Sequence, residues 1–187
     1  MDERPLVPRR RKTEELRKGR LSLVGAAYFV TFSTDRRAQT LVVPAAISAA
    51  HESCERLVGD GDVSALTATV MPDHVHLLFR LGTRLTLERV VSKWRTLLGR
   101  AVPGLVWQRN FYEHRVRADE PTELYAWYIF MNPYRAKLIG VDEVWPGWWT
   151  DGQVACEFLA RARTGPRPQP EWLADVDERS RGLRVGE

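Results

Sequence analysis

Val63-Ser-Ala-Leu-Thr-Ala-Thr-Val70, Met71-Pro-Asp73 and His74-Val-His-Leu-Leu-Phe-Arg-Leu81 follow one another without a break. The first and last pieces are rich in β-branched and large apolar residues. The middle piece is a turn, because proline cannot continue a ladder and aspartate bonds its own backbone. The stretch therefore predicts an antiparallel hairpin. Upstream, Leu23–Ser33 reads as a strand, with Tyr28, Val30 and Phe32 alternating with Phe29, Thr31 and Ser33. Pro44–Val58 reads as a helix with Pro44 in its first turn, closed by Gly59-Asp-Gly61. Downstream, Thr86–Gly99 repeats apolar residues every three or four positions and is broken by Pro103-Gly104. Val106–Val116 predicts a fourth strand. Asp119–Ile139 predicts a helix capped by Asp119, with Pro121 in its first turn and a kink at Pro133. The order β-α-β-β-α-β-α fits an α+β fold: a four-stranded, mainly antiparallel sheet with helices packed on one face.

At 187 residues the chain is long enough for one well-packed domain. With 44% hydrophobic and 28% charged residues, it has the composition of a folded protein rather than a disordered one. The reading divides it into a basic N-terminal arm (1–20), a single domain (21–158) and a weakly ordered tail (159–187) rich in Pro, Arg and Asp. Trp145, Trp148 and Trp149 are read as an irregular flap over the core. Two cysteines, Cys54 and Cys156, cannot build a disulfide framework or a four-cysteine zinc site. No apolar run reaches about 18 residues, and the first residues lack the apolar stretch of a signal peptide. The chain is expected in the cytoplasm, associated with the nucleoid.

Charge gives the first hint of a partner. The net charge is +4, but residues 80–117 hold nine Lys/Arg against two Asp/Glu. Of the 28 cations 24 are arginine, which can grip phosphate through two donors at once. A basic block behind a basic arm points to a polyanion. Arg84, Lys93, Arg95, Arg100, Arg109, Arg115 and Arg117 are the phosphate-binding candidates. Trp107, Phe111 and Tyr112 could stack bases or simply belong to the core.

The chemistry centres on His74-Val-His76. Side chains at i and i+2 of a strand share a face, so two imidazoles can converge on one cation while Val75 and Leu77 face the core. Asp73 could accept a bond from one of them. Tyr128 and Asn132 are four apart and share a helical face. Taken alone, Tyr128 reads as a core residue rather than a nucleophile. Next to a divalent metal that polarises a phosphodiester, its hydroxyl becomes a useful one. The basic block offers too few acids for a two-metal nuclease, and no GxxxxGK[ST] loop is present for ATP.

Met71-Pro-Asp-His-Val-His-Leu-Leu-Phe79 resembles the His-hydrophobic-His (HUH) motif of single-strand endonucleases. Trp107-Gln-Arg-Asn-Phe-Tyr-Glu-His-Arg-Val-Arg117 followed by Tyr128-Ile-Phe-Met-Asn-Pro-Tyr-Arg-Ala-Lys-Leu-Ile-Gly140 resembles the REP-associated tyrosine transposases. The resemblance runs from about Tyr28 to Trp149. It implies a ferredoxin-like HUH domain in which His74 and His76 hold Mg²⁺ or Mn²⁺ and Asn132 completes the metal site. It implies that Tyr128 attacks single-stranded DNA beside a hairpin, leaving a 5′-phosphotyrosine and a free 3′-OH, with no need for ATP. Where this family carries His two residues after the tyrosine, the chain has Phe130, a change expected to touch packing or substrate contacts. His114 belongs to the same motif, as a DNA contact or as a strand-end histidine.

Two other classes stay on the table. One is a catalytically inactive DNA- or RNA-binding module of the same fold. The other is a zinc hydrolase on His74 and His76, which lacks a nearby acidic third ligand. One candidate nucleophilic tyrosine per chain allows either a monomer or a homodimer that exchanges helices.

Overall fold

A computed structural model describes residues 21–154, 156–162 and 165–186; the arm read at 1–20 lies outside them. Strands β1 (Ala27–Ser33), β2 (Val63–Val70), β3 (His74–Leu81), β4 (Tyr112–Val116) and β5 (Trp148–Thr150) alternate with helices α1 (Pro44–Gly59), α2 (Leu87–Ala101), α3 (Thr122–Arg135) and α4 (Trp172–Ser180). The strands form one antiparallel sheet in the order β4-β1-β3-β2-β5. The hairpin of β2 and β3 has the predicted limits, and its turn is closed by the Met71 N–H on the His74 carbonyl at 2.8 Å.

The sheet has five strands rather than four. Trp148–Thr150 pairs with Thr67–Thr69, so part of the tryptophan-rich flap is an edge strand. The fourth strand is shorter than the sequence suggests. Only Tyr112–Val116 joins the ladder, and Trp107 makes an isolated bridge to Thr34.

Helices cover both faces, which corrects the one-face expectation. Tyr28, Val30, Phe32, Val75, Leu77 and Phe79 pack with α1 and α2. Ala27, Phe29 and Leu78, at the alternate positions, pack with α3 and α4. The cause is visible in β1, where all seven residues are buried and large apolar side chains stand on both faces, Tyr28, Val30 and Phe32 on one and Phe29 on the other. A central strand with large apolar side chains on both sides demands cover on both sides.

Within the stretch read as a weakly ordered tail, Trp172–Ser180 forms α4. Its Trp172 and Val176 are buried with Phe130 and Phe158, so this stretch completes the second core.

Helix α3 begins at Thr122, with Pro121 as its N-cap and no side-chain cap from Asp119. Pro133 does not split it; the helix runs through the proline and ends two residues later. Proline has no N–H to give the carbonyl four residues back, that of Ile129. Thr69 of β2 supplies the missing donor: its hydroxyl gives a hydrogen bond to the Ile129 carbonyl at 2.8 Å. The helix that carries Tyr128 and Asn132 is thereby tied to the sheet six residues before its end.

Candidate active site

The register of β1 against β3 sets Thr31 opposite His76. On the α3 face of the sheet, four side chains then meet. His76 is fully buried, and its Nδ1 lies 2.8 Å from the Thr31 hydroxyl. That hydroxyl donates to the Val185 carbonyl at 3.2 Å, so it accepts from His76 Nδ1–H. His74 Nδ1 lies 2.6 Å from Asp73 Oδ1 and donates to it. Both rings are therefore in the tautomer that leaves Nε2 with a lone pair, as this bonding network assigns it.

Those two Nε2 atoms stand 3.0 Å apart, and Asn132 Nδ2 lies 2.9 Å from that of His76. Two lone pairs facing each other at this distance repel unless a cation lies between them. A spacing of 3.0 Å is that of neighbouring corners of an octahedron with bonds of about 2.1 Å. The amide of Asn132, turned over, would offer oxygen in place of nitrogen at the same point. The residues thus fit a divalent cation held by two imidazoles and one amide. Among the described residues no group of three His, Cys, Asp or Glu could hold a metal, so a zinc-type set with an acidic third ligand is not formed.

Burial holds the His76 imidazole well below its usual pKa, and the charges of His74, Arg135 and Arg37 push it the same way. It stays neutral and able to ligate across the physiological range. Phe29 stacks on its ring at 5.5 Å, and Tyr128 meets it edge-on at 5.6 Å. Tyr128 is 1% exposed; the Arg135 guanidinium gives its hydroxyl a hydrogen bond at 3.3 Å and lies over its ring at 5.3 Å. On the other flank, Arg37 pairs with Asp73 at 2.8 Å and bonds Ser33 Oγ at 2.8 Å. Residues 184–186 run across this region. The Arg184 N–H reaches the Tyr125 hydroxyl at 3.5 Å, Val185 accepts from Thr31, and Gly186 packs on the Tyr112 ring.

His114 acts as a structural link. Its Nε2 lies 2.9 and 2.8 Å from the two Glu120 oxygens, and its ring stacks on Tyr125. Burial pushes the Glu120 carboxyl up; the Arg117 N–H, His114 and Tyr125 outweigh it and hold it below its usual range. β4 and the start of α3 are joined through this pair.

The predicted arginine block is not one surface. Arg84 and Lys93 are paired with Asp60 and Asp62. Arg95 lies over Phe32 at 5.0 Å and close to Trp107 and Phe111. Arg100 is exposed at the end of α2, Arg109 in the loop before β4, and Arg115 and Arg117 along the outer strand. Phe130 points away from the histidines into a cluster with Tyr134, Trp148, Phe158 and Trp172. Sequence reasoning missed Thr31, Arg37 and Arg135. Only Arg135 left a trace, as the seventh residue after Tyr128 and hence two helical turns away on the same face.

The model of the family "Transposase IS200 like" matches residues 22–130, more than half of the sequence and the part that holds both histidines and the tyrosine. The chain belongs to the IS200-like transposase family. A Haemophilus influenzae protein named as a REP-associated tyrosine transposase is 24% identical over 141 residues, 65% of this chain and 78% of that one. A solved REP-associated tyrosine transposase bound to a REP hairpin superposes with a TM-score of 0.65 at 20% identity, covering 90% of this chain and 95% of the other. That likeness shows that the two chains share a fold. Among the described residues, no helix is long and apolar enough to cross a membrane.

Proposed function

We propose that this IS200-like transposase cuts and rejoins single-stranded DNA beside hairpins through a covalent link to Tyr128. The observation that carries the reading is the packing of the Tyr128 ring against His76, whose Nε2 faces that of His74 and the amide of Asn132. A bound Mg²⁺ or Mn²⁺ would polarise the scissile phosphate and offset charge developing in the transition state. His74, His76 and Asn132 would hold it, Asp73 and Thr31 fixing the two rings. Tyr128 Oη attacks phosphorus. Its new O–P bond replaces the bond to the 3′-oxygen, which leaves as a 3′-OH by taking a proton from water, while the tyrosine proton passes to water. Attack by a 3′-OH reverses the exchange with no outside energy source. The related structure holds a REP hairpin, and a REP-like hairpin is the substrate proposed here, met in the cytoplasm on nucleoid DNA, by a monomer or a homodimer.

The burial of Tyr128 favours a second reading, a binding module that no longer cuts. One assay separates the two. Labelled single-stranded hairpins are mixed with the protein and Mg²⁺ or Mn²⁺ and run on a denaturing gel. A protein-linked label that vanishes with EDTA and in Tyr128→Phe is the expected result. Hairpin retention without an adduct under either metal would leave only the binding module.

A further inference from the structure

Tyr112 pairs with Thr31 and Trp107 bridges to Thr34, so residues 108–111 stand opposite only Phe32 and Ser33. The two surplus residues arch out of the sheet, a bulge of the kind that re-aims side chains beside active sites. The arch is well anchored. The Gln108 N–H bonds the Ser33 carbonyl at 2.9 Å, and Arg95 supports it from below, donating to the Asn110 carbonyl at 3.2 Å with its guanidinium against Phe32, Trp107 and Phe111.

Under the arch is an open groove of about 480 Å³, whose walls include Thr31, Asp35, Gln108, Arg109, Asn110 and Tyr112. One of its walls is Thr31, the residue bonded to His76 Nδ1. A chain entering the groove therefore arrives one side chain away from the candidate metal site. The groove's chemistry is that of nucleotide recognition. Two amides can each match a donor–acceptor pair on a base edge. The half-buried Tyr112 ring, on which Gly186 packs, becomes a stacking face when Gly186 moves aside, and the exposed Arg109 suits a phosphate. Amides can read such an edge only where it is not already paired with another base.

We propose that this groove holds the base of an unpaired nucleotide adjoining the phosphate that Tyr128 attacks, and that Gln108 and Asn110 set which base is accepted. The assignment rests on the cleavage reading above. It turns the bulge into the determinant of the cut position, separate from hairpin binding.

The test uses the full chain and hairpins whose unpaired flanks are randomised, with the Tyr128-linked strands sequenced. The wild type should show a base preference at one flanking position. Gln108→Ala/Asn110→Ala should flatten it, by on the order of tenfold, while other positions and hairpin affinity stay unchanged. An undiminished preference in the double variant overturns the groove assignment, as does a wild type with no flanking preference. A wild type that forms no adduct sinks the cleavage reading instead. The groove is then judged by affinity for hairpins carrying each of the four bases in the flank. Affinities that depend on the base in the wild type and not in the double variant sustain it, and equal affinities in the wild type overturn it.

Discussion

The Arg135 guanidinium lies 3.3 Å from the Tyr128 hydroxyl and 5.3 Å over the centre of its ring, two turns further along α3. Arg135 also pairs with Asp177 of α4 at 3.8 Å, an exposed contact of little energetic weight. Its stronger engagement is with the tyrosine, where a fixed positive charge both aims the hydroxyl and offsets charge building on the attacked phosphate. Arg135→Met should slow adduct formation about tenfold to a hundredfold, with hairpin affinity changed far less. Arg135→Lys keeps the charge without the planar fork and should fall between. A loss of binding equal to the loss of rate would show that the residue serves affinity instead.

Thr69 and Pro133 form a second linked pair. The hydroxyl of Thr69 is the donor that Pro133 cannot be, and both residues are buried. Thr69→Val leaves the Ile129 carbonyl unpaired in the core, at a cost of about 1–3 kcal/mol. For a chain of this length that lowers Tm by several degrees. Thr69→Ser should recover most of the loss in the same thermal scan. If Thr69→Val melts with the wild type, the carbonyl has found another donor.

The burial of His76 sets a pH dependence of stability. Its folded pKa lies below 6.5, so as pH falls the unfolded chain takes up a proton before the folded one does. Stability from this residue is complete above about 6.5 and is lost as pH falls towards the folded value. Chemical denaturation with EDTA present should show the wild type weakening from pH 6.5 to 5. His76→Gln should show a shallower slope. Mn²⁺ at about 100 times its Kd should add about 2.7 kcal/mol to the wild type and nothing to the variant.

The motif that the Tyr128 stretch resembles would place histidine at Phe130, and the surroundings of Phe130 explain why that exchange would not help. Its ring touches Tyr134, Trp148, Phe158 and Trp172, linking α3 to β5 and α4, and is 1% exposed. Phe130→His places a polar ring among apolar ones. It should cost about 1–3 kcal/mol in a denaturant titration, while Tyr128 chemistry in the surviving folded protein is unchanged. A faster adduct in Phe130→His would show instead that the aromatic cluster restrains the nucleophile.

What could be seen in the sequence follows from how local each signal is. The hairpin of β2 and β3 was legible because its turn residues and period-two pattern lie within nineteen consecutive positions. The same period placed His74 and His76 on one face. Helix α2 was legible from its apolar repeat, and its N-cap, Thr86, accepts from the Arg89 N–H at 3.4 Å. β5 was not, since three residues among glycine and proline carry no pattern of their own and become a strand only beside β2. Thr31 was invisible as a partner of His76, 45 residues away, until the β1–β3 register brought them together. The arginine block showed the opposite failure. Its members are close in sequence, but Asp60 and Asp62 neutralise two of them and an aromatic cage holds Arg95.

The crossing segment at residues 184–186 gives the last prediction. Val185 accepts from the Thr31 hydroxyl, and Gly186 packs so closely on Tyr112 that an added Cβ would overlap its ring. Gly186 also has φ +68°, a conformation that side chains other than glycine rarely adopt. Gly186→Val therefore cannot keep this seat and should lift the segment from the groove. Neither residue holds the candidate metal or the nucleophile, so the chemistry itself is untouched. With the segment lifted, DNA reaches Thr31 and Tyr112 without displacing protein. Single-turnover adduct formation should then rise several-fold over wild type, with Tm lowered by no more than a few degrees. Deletion of residues 184–187 should reproduce the increase. A rate at or below wild type in both variants would mean that the segment supports the site rather than screening it.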